Sequence, residues 1–214
     1  MSQAVQSVHD SHQMPIEFAD YHESLKITGF WFFLTTDMLL FASLFATFAV
    51  MRFDFAHGPT PAQVFHYGPV ILETVLLLTS SFTIGLSIFE MRRNRLKSSV
   101  AWLVLTILLG AGFVSTEIHE FVSNIVKGAG WHASGFLSAF YALVGTHGAH
   151  VTFGIFWAVT LIVQLLRRGF TPRTSRKLYT FALYWHFLDI VWVFIFTVVY
   201  LSSFASIPLY SGLH

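Results

Sequence analysis

The sequence predicts an all-α membrane protein folded as a five-transmembrane-helix bundle, with the N-terminus cytoplasmic and the C-terminus outside. Of the 214 residues, 55% are hydrophobic and only 11% are charged, whereas soluble domains usually carry about 25% charged residues. The chain also contains five apolar runs that each reach the roughly 20 residues needed to cross a bilayer core. Most of its surface is therefore expected to face hydrocarbon rather than water.

The five spans are bounded by charged or Gly- and Pro-rich segments. Asp37 interrupts the first run and Glu73 lies near the start of the second. The third is uncharged until Glu117, the fourth contains no charged residue, and the fifth contains Asp189. The runs are too long for strands and too apolar all round for surface helices. The predicted spans are about 27–51, 70–90, 98–125, 134–166 and 178–204.

These spans form one transmembrane domain, residues 27–205, between two tails. Residues 1–26 form a polar, acidic N-terminal tail, and residues 206–214 form a short outer C-terminal tail. The N-terminal tail lacks the basic start and apolar run of a secretory signal peptide, so we expect the first span to be retained as structure.

The basic residues predict the orientation. Nine of the twelve Lys and Arg residues lie in two connections, 92–97 and 167–177. Cytoplasmic loops accumulate Lys and Arg, which places both connections inside the cell and agrees with five crossings. A net charge of +1 gives no indication of nucleic-acid binding. The absence of cysteine excludes disulfides and thiolate metal sites.

Several ionisable groups lie inside the predicted spans, where each needs a partner or a function. With a rise of about 1.5 Å per residue, Asp37 and Asp189 lie roughly 15 Å into their spans. Three histidines near the same depth could meet these carboxylates at one level of the bundle, and three glutamates belong to the outer third. The candidate buried polar or lipid-contact residues are Asp37, Glu73, Glu117, Glu120, His147, His150, His186 and Asp189.

Three roles are open to these groups on chemistry alone. They could hydrogen-bond between helices, contact lipid headgroups or another subunit, or take part in redox or proton-pumping chemistry. His147 and His150 have the spacing of two ligands on one helical face, but copper and di-iron sites need about three or more convergent ligands. Gly145, Gly148 and Gly154 flank the two histidines and favour close helix packing. We therefore expect no catalytic, cofactor-binding or metal-binding residue in this chain.

Five segments, one in each span, carry a resemblance to a known family. The sequence resembles subunit III of haem-copper respiratory oxidases from about Ile27 to Leu201, and it is most similar to the bacterial cytochrome bo ubiquinol oxidase branch. The segments are FWFFLTTD (30–37), ETVLLLTS (73–80), EIHEF (117–121), GTHGAHV (145–151) and YWHFLDIVW (184–192).

The resemblance implies a non-catalytic subunit of a proton-pumping complex that oxidises ubiquinol and reduces oxygen to water. Haem and copper would reside in subunit I. This chain would stabilise subunit I, contact subunits II and IV, and bind phospholipid in the bacterial inner membrane. Asp37 matches the family's carbodiimide-reactive carboxylate, which is usually a glutamate.

The sequence is also compatible with other functions. The chain could be subunit III of a cytochrome c or menaquinol oxidase of the same superfamily. It could also be an autonomous transporter that uses Asp37 and Asp189, although transporters commonly contain inverted repeats and we find none. A membrane redox enzyme would have to use His147, His150 and His186.

Overall fold

The structure is a computed structural model that describes residues 21–52, 54 and 67–201, with side chains from Thr28 onward except that of Tyr67. Each of its five α-helices is long and apolar enough to cross a membrane, which confirms the predicted class and the number of spans. The helices are α1 (Tyr21–Met51), α2 (Tyr67–Arg92), α3 (Leu96–Val126), α4 (Gly135–Arg168) and α5 (Pro172–Ile195), and α5 continues as a π-helical segment, Phe196–Leu201.

Two helices begin well before their apolar runs. α5 begins at Pro172 rather than near residue 178 because Thr171 and Thr174 form a capping box. The Thr171 hydroxyl accepts a hydrogen bond from the Thr174 backbone N–H at 3.2 Å, and Thr171 N–H donates to Thr174 Oγ1 at 2.8 Å. Proline at the first helical position is pre-organised for a helix start. Similarly, α1 begins at Tyr21, within the predicted N-terminal tail; the rest of that tail and residues 206–214 lie outside the described residues.

The helices pack as a ring of four with one helix outside it. α2 packs against α3 and α5, and α4 packs against α3 and α5, which closes the ring. α1 lies against α4 and α5. One face of α5, between its contacts with α1 and α2, is therefore not covered by another of the described helices.

Hydroxyl groups join α2 to α3 at two levels. Thr83 of α2 is 2.8 Å from Thr106 of α3, measured between the hydroxyl oxygens. Ser87 and Ser99 connect the same two helices at 3.0 Å. Membrane helices associate through packing and interhelical hydrogen bonds because lipid tails are as apolar as the helices themselves.

Trp185 of α5 fills the centre of the ring. Its Nε1–H donates to the Ser80 hydroxyl of α2 at 2.9 Å. A Cβ added at Gly110 of α3 would lie 2.9 Å from Trp185 Cη2, and one added at Gly154 of α4 would lie 2.9 Å from Cζ3. One indole therefore contacts three neighbouring helices, and the two glycines provide the space for it.

Successive connections between the helices lie at alternate ends of the bundle, as five crossings require. The basic segments 92–97 and 167–177 both lie at the end where α2 and α4 finish. At the opposite end, the Asp54 carbonyl after α1 accepts a hydrogen bond from Phe136 N–H in the first turn of α4 at 3.1 Å. The assignment of these ends to the two sides of the membrane stays a prediction.

Candidate functional site within the membrane-spanning bundle

The first polar group joins α1 to α4. His150 Nε2 lies 3.1 Å from Asp37 Oδ1, and its Nδ1 lies 2.7 Å from the Thr146 carbonyl oxygen one turn earlier. The Tyr184 hydroxyl of α5 donates to the His150 carbonyl at 3.0 Å. Asp37 is buried and His150 is half-buried. We call Asp37 and His150 the Asp–His pair.

The hydrogen-bond geometry fixes the proton count of the Asp–His pair. A carbonyl only accepts, so Nδ1 of His150 must carry a hydrogen and donate it to Thr146. The contact between Nε2 and Asp37 then contains one proton, which resides either on the ring or on the carboxyl group. Both arrangements are neutral overall. The pair thus places two ionisable side chains at an apolar interface without adding net charge to it.

His147 occupies a different environment from its neighbour. It is fully buried, and its ring stacks on Trp192 with centroids 5.4 Å apart and contacts Phe113 edge-on at 5.7 Å. Phe41 of α1 lies 6.3 Å from the same ring. Neither ring nitrogen has a hydrogen-bond partner among the described residues. His147 therefore packs as an aromatic core residue.

A second polar group joins α2 to α5. The Ser81 hydroxyl lies 2.6 Å from His186 Nδ1, and Ser81 also interacts with Asp189. His186 and Asp189 are three residues apart and share a face of α5, as the sequence predicts. We call Ser81, His186 and Asp189 the serine-linked triad.

The third group lies toward the end opposite the basic segments. Glu73 of α2 interacts electrostatically with Glu120 and Glu117 of α3, and all three are buried. Tyr200 of the π-helical segment interacts with all of them. The Glu117 carboxylate packs on Gly148, where an added Cβ would lie 2.8 Å from Glu117 Cδ. We call Glu73, Glu117 and Glu120 the acidic cluster.

The structure therefore separates the histidines and aspartates that their similar depth in the membrane would allow to meet. The Asp–His pair and the serine-linked triad lie on different sides of α5, one toward α1 and the other toward α2. His147 contacts neither carboxylate and is surrounded by aromatic rings. Residue depth is readable from a sequence, but the rotation of each helix about its axis depends on packing.

His147 and His150 do not fit a haem or metal site. In the part of the chain that the structure describes, no three His, Asp or Glu side chains converge as ligands. Both nitrogens of His150 are engaged by protein groups, and aromatic rings surround His147 where a macrocycle would have to lie. The donor sets instead suit interhelical hydrogen bonding.

Sequence reasoning missed the residues that connect these groups. Ser81 hydrogen-bonds His186 and interacts with Asp189, Tyr184 donates to the backbone of α4 at His150, and Tyr200 interacts with the acidic cluster. Ser80 and Ser81 interrupt the apolar run of α2, which is the signal that could have identified them. Tyr184 gives no such signal, because an aromatic residue in a membrane helix is ordinary.

Comparison with known protein families identifies the chain as a whole. Residues 9–204 match the family described as cytochrome c oxidase subunit III. This match covers all five membrane helices.

The similar proteins are respiratory oxidase subunits. The chain is 49% identical to quinol oxidase subunit 3 of Bacillus subtilis (strain 168) over 195 residues, which are 91% of this chain and 96% of the relative. It is 47% identical to cytochrome bo(3) ubiquinol oxidase subunit 3 of Pseudomonas putida over 84% of this chain and 88% of the relative. It is also 47% identical to cytochrome c oxidase subunit 3 of Bacillus sp. (strain PS3), over 83% of this chain and 86% of the relative.

Proposed function

This chain belongs to the cytochrome c oxidase subunit III family, and from that premise we propose that it is the non-catalytic subunit III of a cytochrome bo-type ubiquinol oxidase. The complex would oxidise ubiquinol, reduce oxygen to water and pump protons across the membrane. The chain itself is a multi-pass protein of a bacterial membrane, which its five apolar helices and its family require.

The similarity to quinol oxidase subunits along nearly the whole chain is the observation that carries this proposal. It reaches 49% identity over 91% of this chain. The internal polar groups support a subunit role because each connects helices of this chain: α1 to α4, and α2 to α5. A structural subunit needs such groups for assembly, whereas a catalytic one would also need a redox centre.

The redox groups of the complex are assigned to other subunits. We place haem and copper in subunit I, which would be the main neighbour of this chain, with further contacts to subunits II and IV. Phospholipid would bind at the basic end of the bundle, where Arg167, Arg168 and Arg173 are exposed. Anionic headgroups are attracted to clustered Lys and Arg residues next to membrane helices.

Affinity purification tests the proposal. An affinity tag is placed on this chain in its native host, membranes are solubilised in a mild detergent, and the eluate is analysed for subunits, optical spectrum and oxygen consumption. We expect larger subunits in constant ratio, haem absorbance and quinol-dependent oxygen consumption. A parallel preparation tagged on subunit I serves as the control and should contain this chain in the same ratio.

Recovery of the chain alone from membranes that contain an active quinol oxidase would contradict the proposal. A haem band in the isolated chain, with one haem per polypeptide, would contradict its non-catalytic role.

The electron donor separates the proposed complex from its relatives. Some similar proteins are cytochrome c oxidase subunits, so the purified complex is assayed with ubiquinol, menaquinol and reduced cytochrome c. We expect oxygen consumption with ubiquinol. Turnover with reduced cytochrome c alone would instead make the chain subunit III of a cytochrome c oxidase, and turnover with menaquinol alone would place it in a menaquinol oxidase.

A further inference from the structure

A stripe of α5 lies on the outside of the bundle between α1 and α2. Its residues are His186, Ile190 and Phe194, which are spaced four apart and so lie on one helix face. Ile190 and Phe194 are exposed, and His186 is partly exposed. Phe45 of α1 flanks the stripe at one side, 6.3 Å from Phe194 between ring centroids, and Ser81 of α2 flanks it at the other. We call these three residues of α5 the α5 stripe.

The α5 stripe contains a polar group at the middle of the membrane. His186 lies about 15 residues from each end of the span Pro172–Leu201, or roughly 20 Å at 1.5 Å of rise per residue. Lipid headgroups do not reach this depth, and acyl chains offer no hydrogen-bond partner. Ionisable residues in membrane spans almost always face protein or water-filled cavities rather than lipid.

The hydrogen bonds around His186 show which of its ring nitrogens is available to a neighbouring molecule. Its Nδ1 is engaged by Ser81, and no described residue lies within hydrogen-bonding distance of Nε2. Ser81 has one hydroxyl proton. The hydroxyl either donates to Nδ1 or accepts from Nδ1–H, so Nε2 is left at the surface of the bundle without a partner among the described residues.

The surroundings of His186 fit a helix rather than a small polar molecule. On α2, Leu78 and Phe82 are exposed on either side of Ser81, and a Cβ added at exposed Gly85 would meet nothing within 4 Å. The polar atom thus lies in an otherwise apolar surface with open space beside it. Small residues such as Gly85 are typical of places where another membrane helix approaches closely.

We propose that the α5 stripe, together with the adjacent face of α2, is the surface on which a transmembrane helix of another subunit of the complex packs. That helix presents a side chain that hydrogen-bonds Nε2 of His186 (a hydroxyl or an amide, each of which can donate or accept) at mid-membrane depth. This inference rests on the proposed function, because the partner is a different subunit of the same complex.

Photocrosslinking within the intact complex tests where the partner lies. A photoreactive phenylalanine analogue replaces Ile190 in the tagged chain, and matched variants carry it at Leu108 of α3 and at Phe156 of α4, which are at least as exposed and lie on other helices. We expect a crosslink to another subunit at position 190 at several times the yield of position 108 or 156. A crosslink at 190 to lipid alone, or to a second, differently tagged copy of this chain, overturns the proposal.

Substitution of His186 tests the hydrogen bond itself. The His186→Ala and His186→Gln variants are compared with His119→Ala, which removes an exposed histidine from α3. Association is measured as the fraction of this chain retained by tagged subunit I as the detergent concentration rises. We expect His186→Ala to weaken retention roughly tenfold, equivalent to about 1.4 kcal/mol, and His186→Gln, which keeps a donor and an acceptor, to restore most of it.

Equal retention of all three variants would overturn the proposal, even where the crosslink is found. Failure of the proposed function gives a different result, because the unsubstituted chain would then not co-purify with subunit I at all.

Discussion

The Asp–His pair is the polar group whose geometry is most sharply defined. Asp37 and His150 share one proton between α1 and α4, and the Thr146 carbonyl fixes which ring nitrogen faces the carboxylate. The two residues are 113 positions apart in the sequence. The pair therefore links α1, the helix outside the ring, to the rest of the bundle.

Substitutions of the Asp–His pair should differ in a specific order. His150→Ala leaves the buried Asp37 carboxylate without a partner, and an unsatisfied buried group costs about 1–3 kcal/mol. Asp37→Asn costs less, because the Asn amide can donate to Nε2 of His150. The measurement is thermal unfolding of the purified complex, with turnover lifetime followed in parallel. Both variants should shorten the lifetime more than they lower the initial rate of quinol oxidation.

His119→Ala is the control and should leave both quantities unchanged. An immediate, complete loss of quinol oxidation by Asp37→Asn in a fully assembled complex would show that the carboxylate has a catalytic role.

Gly148 tests the contact between α4 and the acidic cluster. A Cβ at this position would lie 2.8 Å from Glu117 Cδ, so Gly148→Ala must displace a buried carboxylate. We expect a loss of about 1–3 kcal/mol, which is typical of overpacking. Gly145→Ala is the matched control, since its Cβ would meet Phe121 Cε2 at an ordinary 3.6 Å. The measurement is the unfolding free energy of each variant.

The combination of Gly148→Ala with Glu117→Ala shows whether the clash is the cause. Substitutions in direct contact are not additive, so the double variant should be more stable than the sum of the single effects predicts. Additive effects would mean that Glu117 does not contact Gly148.

At the residue scale, the sequence identifies the buried ionisable residues better than it identifies their hydrogen-bond partners. The buried acids and histidines are recognisable because an ionisable residue in an apolar run is unusual. Their partners are not: Ser81 and Thr146 are polar but common in membrane helices, and Thr146 contributes only its backbone carbonyl. A backbone acceptor is present at every position, so no residue type identifies it.

At the scale of the elements, Trp185 determines how closely α3, α4 and α5 approach. Its indole lies between Gly110 and Gly154 while its N–H donates to Ser80. Replacing either glycine by alanine should cost about 1–3 kcal/mol by forcing the ring or a helix to move. Gly112→Ala is the control, because its Cβ would lie 3.5 Å from Leu76 Cδ1, an ordinary contact.

A second substitution identifies the indole as the cause. Combining Gly154→Ala with Trp185→Phe shortens the ring and should recover part of the stability lost by Gly154→Ala, as measured by thermal unfolding in one detergent. Further destabilisation without recovery would indicate that another contact, such as that with Tyr184 at 3.2 Å, limits the space at Gly154.

The helices themselves were predictable because each depends on a property that is local in the sequence. Five apolar runs gave five helices, and the charged residues at their ends gave approximate bounds. α5 begins at Pro172, before the predicted span near residue 178, because hydropathy marks where the chain becomes apolar, whereas the Thr171–Thr174 capping box marks where the helix begins. A threonine followed by Pro172 and a second threonine was the available signal.

At the scale of the whole molecule, orientation in the membrane is the simplest property to test. The basic segments lie at one end of the bundle, so we expect that end to be cytoplasmic. The chain has no cysteine, so single cysteines can be introduced at exposed Arg168 and at exposed Lys127 near the opposite end. The measurement is labelling by a membrane-impermeant maleimide in spheroplasts.

Lys127→Cys should be labelled in intact spheroplasts, and Arg168→Cys only after the membrane is permeabilised. Each variant is first shown to support quinol-dependent oxygen consumption, so that a misfolded chain is not scored. The reverse labelling pattern would invert the predicted topology.

The arrangement of the helices was not predictable from the sequence, because it depends on contacts between distant segments. The ring of α2, α3, α4 and α5 leaves α1 outside and exposes one face of α5. That exposure separates the serine-linked triad from the Asp–His pair and gives the two groups different neighbours. The former faces the surface of the bundle, and the latter joins two helices within it.

In the proposed function, this chain supports a redox complex without holding a redox centre. The most direct test compares the purified oxidase with and without this chain, measuring haem and copper per subunit I, the initial rate of ubiquinol oxidation and its decay during turnover. We predict unchanged haem and copper contents, a similar initial rate and faster inactivation in its absence. Loss of one haem or copper for each chain removed would contradict the account.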